Sequence, residues 1–233
     1  MKDDFDEEEY WIAISDVMSG LMLVFLFISI SYMVKINSEK DQIEQIAKTY
    51  QTMQVGIYND LFNEFEKDLS VWNATINQED LSVVFKEPEV LFLVNDYHLQ
   101  YFFKNILNDF FPRYINILYS DKYRDDIDEI RIEGHTSSEW ASADSYDEAY
   151  INNMNLSQKR TCSVLEYIIK LNIVQEDSER KRWLIGHLTA NGLSSSKLIR
   201  NKNGDENKAA SRRVEFRIRT NAEKRIKLIL GGS

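Results

Sequence analysis

The sequence predicts a single transmembrane helix, a helical stalk and a small α+β domain, and three observations carry that prediction. Residues 10–35 form an apolar run holding one acid, Asp16, and about 20 such residues suffice to cross a bilayer. Residues 36–76 place apolar side chains at helical spacing. From residue 77 onward, short alternating runs interleave with amphipathic segments, giving the order β-α-β-α-β with helices on one face of a mixed sheet.

Composition sets the outer limits. At 233 residues the chain has room for one ordinary domain with an anchor and a stalk. The net charge is −10, and six acids fall within the first nine residues. That balance argues against a phosphate-backbone partner, so nucleic-acid binding is disfavoured. Cys162 is the single cysteine and can form no internal disulfide; it reads as a small buried apolar residue.

Taken in order, residues 1–9 are an acidic tail. They lack the basic region of a cleavable signal, and ISISYMVK offers no small-residue cleavage site, so residues 10–35 read as an uncleaved anchor. Two readings of Asp16 stand side by side. It caps a helix that begins at Val17, or it is a functional carboxylate inside a membrane helix, where an ionised Asp costs about 2.5–3.5 kcal/mol. Ser15 and Ser19 are its candidate ion-path neighbours, and both also suit ordinary helix packing. Lys35, Lys40 and Lys48 follow the span and only Lys2 precedes it, a bias that would put the C-terminal side in the cytoplasm.

The stalk rests on Ile43, Ile46, Tyr50, Met53 and Ile57, whose 3-4-3-4 spacing makes one helical seam. The seam suits a parallel pair of copies, and an amphipathic helix packed on its own domain gives the same pattern. The domain, residues 77–221, opens with a strand at Leu81–Phe85. Pro88 and Asn95-Asp96 then break the chain before a helix over Tyr97–Leu118. A strand at Ile130–Glu133 follows, then a polar segment from His135 to Asn155 and a helix over Leu156–Leu171. Arg180–His187 reads as helical, Leu188–Asn191 as a short strand and Arg212–Arg219 as an alternating strand. Residues 222–233 form a tail.

Little in the chain points to catalysis. His98, His135 and His187 are far apart with no cysteine near them, so no metal site is expected; His135 is expected to hydrogen-bond the turn after its strand. There is no nucleotide-binding glycine motif and no nucleophile–base or paired-carboxylate arrangement, so the chain reads as a non-enzyme without cofactor.

Several motifs carry a resemblance. Ile132-Glu133-Gly134-His135-Thr136, then Asn153, Leu156-Ser157 and Arg160, and finally Ser211-Arg212-Arg213-Val214-Glu215 resemble the I-x-G-H-T-D, N-x-x-L-S-x-x-R and N-R-R-V-E signatures of OmpA-like peptidoglycan-binding domains. The resemblance implies that Arg160 holds a carboxylate of the cell-wall peptide, with Asn153 and Leu156 beside it. Ser137 stands where the family has the Asp that holds the peptide's amine. The acids Glu139, Asp144, Asp147 and Glu148 on the following segment are candidates to replace it.

The whole layout, together with Asp16 followed by Met18, Leu21, Met22 and Phe25, is similar to flagellar-type stator B subunits. The segments His135–Trp140, Leu188–Leu193 and Ala210–Phe216 resemble the B-subunit family of Zorya anti-phage defence systems. That resemblance implies an ion-driven motor in the bacterial inner membrane, with Asp16 carrying H+ or Na+. It implies a homodimer inside a pentameric ring of multi-span A subunits, a cytoplasmic N-terminus and a periplasmic domain on peptidoglycan. Two other readings stay open: a passive membrane-to-wall tether, and a transmembrane sensor using the acidic segment 137–155.

Overall fold

A computed structural model gives the fold and describes residues 3–86, 91–93 and 96–221, with side chains from residue 10 onward. Pro88, Asn95 and the tail 222–233 lie outside the described residues. Two units emerge, residues 3–49 and residues 50–221, and each is described by itself.

The first unit is helical throughout. Helix α1 runs Asp3–Leu69, and no proline occurs before Pro88 to break it. From Tyr10 to Val34 every side chain is exposed except the half-buried Ile14. By length and composition, the helix is apolar enough to cross a membrane. One reading of Asp16 falls here. Because α1 begins at Asp3, Asp16 lies well inside it and caps nothing.

The end of α1 belongs to the second unit. Ile57, Leu61 and Phe65, spaced four apart, are fully buried in the domain core, while Ile43 and Ile46 stay only half-buried. The seam read as a stalk to residue 76 is therefore shared, its later part being the core-facing stripe of an amphipathic helix. A strand, β1 at Ala74–Asn77, also precedes the expected domain start. It is only four residues long, too short for its alternation to stand out.

The remaining elements are β2 Ser82–Lys86, α2 Tyr101–Leu118, β3 Ile127–His135, α3 Tyr146–Ile169, α4 Asn172–Gln175, α5 Ser178–His187, β4 Leu188–Gly192, α6 Lys208–Ser211 and β5 Arg213–Thr220. The five strands form one sheet in the order β1-β2-β5-β3-β4. Neighbours are antiparallel except β3 and β4, which run parallel and need the α3–α5 crossover between them. The expected mixed sheet with covering helices is what the chain forms.

Helix α3 starts ten residues before the expected Leu156. Ser145 caps it by accepting from the Glu148 amide, and Asp147 and Glu148 occupy its first turn. Ser145-x-x-Glu148 is the spacing of a capping box, a start signal inside a segment that reads as loop on polarity alone. The acids expected as replacements for the family Asp are thus partly helix-terminus residues.

One sheet face is apolar. Val83, Phe216, Ile132 and Ala190 lie in one cross-strand row, as do Ile218, Ile130 and Leu188. Helix α2 covers this face with Phe103, Phe110, Phe111 and Tyr114, and α3 adds Val164 and Ile168. Phe110 is the hub, with ring centroids 5.2 Å from Phe65, 5.1 Å from Phe85 and 5.1 Å from Phe216. Because α1 ends in the core, Phe65→Ala should cost about 3–5 kcal/mol, whereas Ile43→Ala should stay within about 0.5 kcal/mol. Guanidinium denaturation of the detergent-solubilised chain, followed by tryptophan fluorescence, checks both.

Candidate functional sites

The first site is Asp16. On α1, Ser19 and Gly20 lie one turn beyond it and Ala13 lies one turn before it, so these small residues share its face. Ser15 lies about 100° round the helix and does not. The site is a carboxylate beside a low strip of side chains, and a Cβ added to Gly20 would meet nothing within 4 Å. Such a strip permits the close approach of another helix.

The second site lies on α3. Asn153, Leu156, Ser157 and Arg160 share one face, with Asn153, Ser157 and Arg160 buried and Leu156 half-buried. This face presses against β3 and β4 so closely that a Cβ on Gly134 would lie 2.9 Å from the Ser157 carbonyl oxygen. One on Gly192 would lie 2.4 Å from the Gln158 nitrogen. Glycine in the G-H-T signature is therefore a packing requirement.

Arg160 is buried rather than on the surface. Its Nε donates to the Asp96 carbonyl at 2.8 Å, its Nη2 donates to the Leu93 carbonyl at 3.2 Å, and its guanidinium lies 5.0 Å from the Phe92 ring. It fastens the segment before α2 to the helix. Asp96 closes that segment on itself by accepting from the Tyr97 and His98 amides and from His98 Nδ1. The bonds from the His98 amide and ring hold the Asp96 carboxyl below the usual range. Lys159 Nζ sits 5.6 Å from the Tyr97 ring.

The loop after β3 carries Ser137, which is buried. Asn153 Nδ2 donates to the Glu139 carbonyl at 3.1 Å, tying this loop to α3. Among the candidate acids, Glu139 is paired with Lys208, and Glu148 Oε2 accepts from the Asp144 amide at 2.9 Å. The residue next to Ser137 is held by a carboxylate that the sequence did not suggest. Glu206 accepts from the Ser138 amide at 3.0 Å and from its hydroxyl at 2.5 Å. No local signal links residues so far apart.

A third group lies on the polar face of the sheet. Glu133 and Glu215 are cross-strand partners on β3 and β5, and His135 Nε2 is 3.8 Å from Glu133 Oε2 and 3.7 Å from Glu215 Oε1. Neither His135 nitrogen makes a hydrogen bond among the described residues, so the expected bond to the turn is not formed. His135 points across the sheet instead. Burial pushes the Glu133 carboxyl up, but His135, Arg217 and Arg131 outweigh it and leave it below the ordinary glutamate range.

No protein-family model matches the chain. It is 45% identical over 224 residues to the Zorya protein ZorB of the Crooks strain of Escherichia coli, a match covering 96% of this chain and 93% of that one. It is 27% identical over 225 residues to another Zorya protein ZorB, from Escherichia coli O139:H28, covering 93% of this chain and 82% of that one. Among solved structures it is similar to a MotB-like protein from Desulfovibrio vulgaris, at 22% identity and a TM-score of 0.46, covering 78% of this chain and 98% of that one. It is also similar to the cell wall anchor of the T6SS from Pseudomonas aeruginosa, at 18% identity and a TM-score of 0.45, covering 69% and 96%. With 45% identity to a curated relative over nearly its whole length, the chain belongs to the ZorB family of Zorya proteins.

Proposed function

We propose that this chain is the stator-like B subunit of an ion-driven inner-membrane rotary motor in an anti-phage defence system. The observation that carries the reading is Asp16, the lone carboxylate of the apolar run 10–35 within an uninterrupted helix of a ZorB-family chain. An uncompensated charge there costs about 2.5–3.5 kcal/mol, so the segment calls for a bound cation or a partner helix. A carboxylate that takes an ion from one side and gives it up on the other loses and regains its charge once per cycle. Each elementary charge crossing 100 mV releases about 2.3 kcal/mol.

In this reading two copies stand inside a ring of five multi-span A subunits. The strip of Ala13, Ser19 and Gly20 lets those helices close around Asp16, and the ion is H+ or Na+. The N-terminus is cytoplasmic and the domain periplasmic, which overrides the lysine bias after the span. Peptidoglycan holds the domain through the α3 face of Asn153, Leu156 and Arg160, beside the loop of Ser137, so that the dimer stands still while the ring turns. A guanidinium suits the carboxylates of a wall peptide.

Asp16→Asn should abolish phage protection while expression and membrane insertion stay unchanged, as plaque counts and membrane fractionation would record. Full protection by that variant would reject the ion-carrying role and leave a passive tether. For the wall site, Arg160→Lys keeps the charge and loses the fork. It should weaken co-sedimentation of the full chain with purified sacculi about tenfold, the loss of one hydrogen bond to a charged group at ~1.5 kcal/mol. Melting of the variant, measured alongside, sets a temperature at which both proteins are folded; unchanged sedimentation there would place wall binding elsewhere.

A further inference from the structure

The polar face of the sheet holds a set of donors that neither the motor nor the wall reading uses. Glu133 and Glu215 face each other across the β3–β5 seam, where like charges oppose pairing, and both are buried, at 2% and 4% exposure, with His135 at 4%. One donor atom from each of these residues lies within 4.8 Å of the other two.

The surrounding guanidiniums leave this set unfinished. Arg131 makes its short contact with Glu129 at 2.7 Å, Arg217 with Asp80 at 2.7 Å and with Glu215 Oε2 at 3.2 Å, and Arg213 with Glu215 Oε1 at 2.5 Å. Glu133 meets Arg217 only at 3.5 Å and Arg131 only at 3.8 Å. Among the described residues, Glu133 Oε2 and both His135 nitrogens make no hydrogen bond, although buried polar atoms are nearly always bonded.

One nitrogen and two carboxylate oxygens are ordinary ligands for a first-row divalent ion. Tetrahedral coordination with bonds of about 2.0–2.1 Å places ligand atoms about 3.3–3.4 Å apart. The His135 contacts of 3.7 and 3.8 Å need to close by only a few tenths of an ångström. Arg213, donating to Glu215, would act from the outer shell and orient that carboxylate.

We propose that Glu133, His135 and Glu215 bind one divalent transition-metal ion, clamping β3 to β5 at the point where β3 gives way to the loop of Ser137. The probe is Zn²⁺, added to the chelator-treated full chain in detergent. Calorimetry should find one ion per chain, and a hundredfold excess over the dissociation constant should raise the melting temperature by about 5–10 °C. Glu133→Gln and His135→Gln should each weaken binding by more than about tenfold, while His98→Gln, at an exposed histidine, should not. Absence of both heat and melting shift in the unmodified chain would overturn the proposal and leave a purely internal polar network. So would a shift that persists in Glu133→Gln and His135→Gln; a melting curve without metal establishes that each variant is folded.

Discussion

The close seating of α3 on β3 and β4 governs the domain. Gly134 and Gly192 leave no room for a methyl group between strand and helix, and polar bonds fill the same seam. Gln158 accepts from the Gly192 amide at 2.7 Å and donates to the Ala190 carbonyl at 3.2 Å, and Ser157 Oγ accepts from the Ser194 amide at 3.1 Å. These contacts fix the rotation of α3 about its axis. With that rotation set, Asn153 meets the loop after β3 and Arg160 meets the segment before α2. Both faces of the candidate wall site therefore follow from two glycines.

The end of α1 is held by a different kind of contact. Arg113 on α2 donates through Nε to the Glu64 carboxylate at 2.7 Å and through Nη2 to the Glu64 carbonyl at 2.6 Å, and it pairs with Asp68 at 2.9 Å while lying 4.8 Å from the Phe65 ring. Glu64 and Asp68 raise the Arg113 guanidinium's affinity for its proton against the opposing effect of burial. One turn earlier, Tyr123 donates to Asp60 at 2.6 Å. Apolar burial of Ile57, Leu61 and Phe65 gives this helix end its energy, and the charged fork gives it register. The helix that carries Asp16 is thus covalently continuous with a core element of the domain.

Much of this was legible in the chain. Strand alternation located β2, β3, β4 and β5 to within a few residues, because a two-residue period leaves little ambiguity where one face is buried. The Asp16 helix was legible from hydropathy, but its start was not. Capping and mid-helix readings differ in whether the residues before Val17 are helical, and the run of acids up to Glu9 gave no periodicity. The α1 seam was ambiguous for a related reason: a 3-4 spacing serves a partner helix and a parent core equally, so spacing alone does not assign Ile57, Leu61 and Phe65 to the domain core. The Glu133–His135–Glu215 group was out of reach because its geometry depends on the register of β3 against β5, which no short motif encodes.

The same distance problem decides how the Ser137 departure is understood. Sequence proximity nominated Glu139, Asp144, Asp147 and Glu148, yet proximity along a chain supplies negative charge only when nothing nearer consumes it. Lys208 neutralises Glu139, the start of α3 engages Glu148, and Asp147 lies in the helix's first turn, where the dipole favours it. Glu206 differs because its partners, the Ser138 amide and hydroxyl, are neutral, so hydrogen bonding fixes the carboxylate without cancelling its charge. A loop rich in acids has in this way become a braced structural element. A carboxylate braced against the loop of Ser137, through Ser138, comes from the segment that leads into β5.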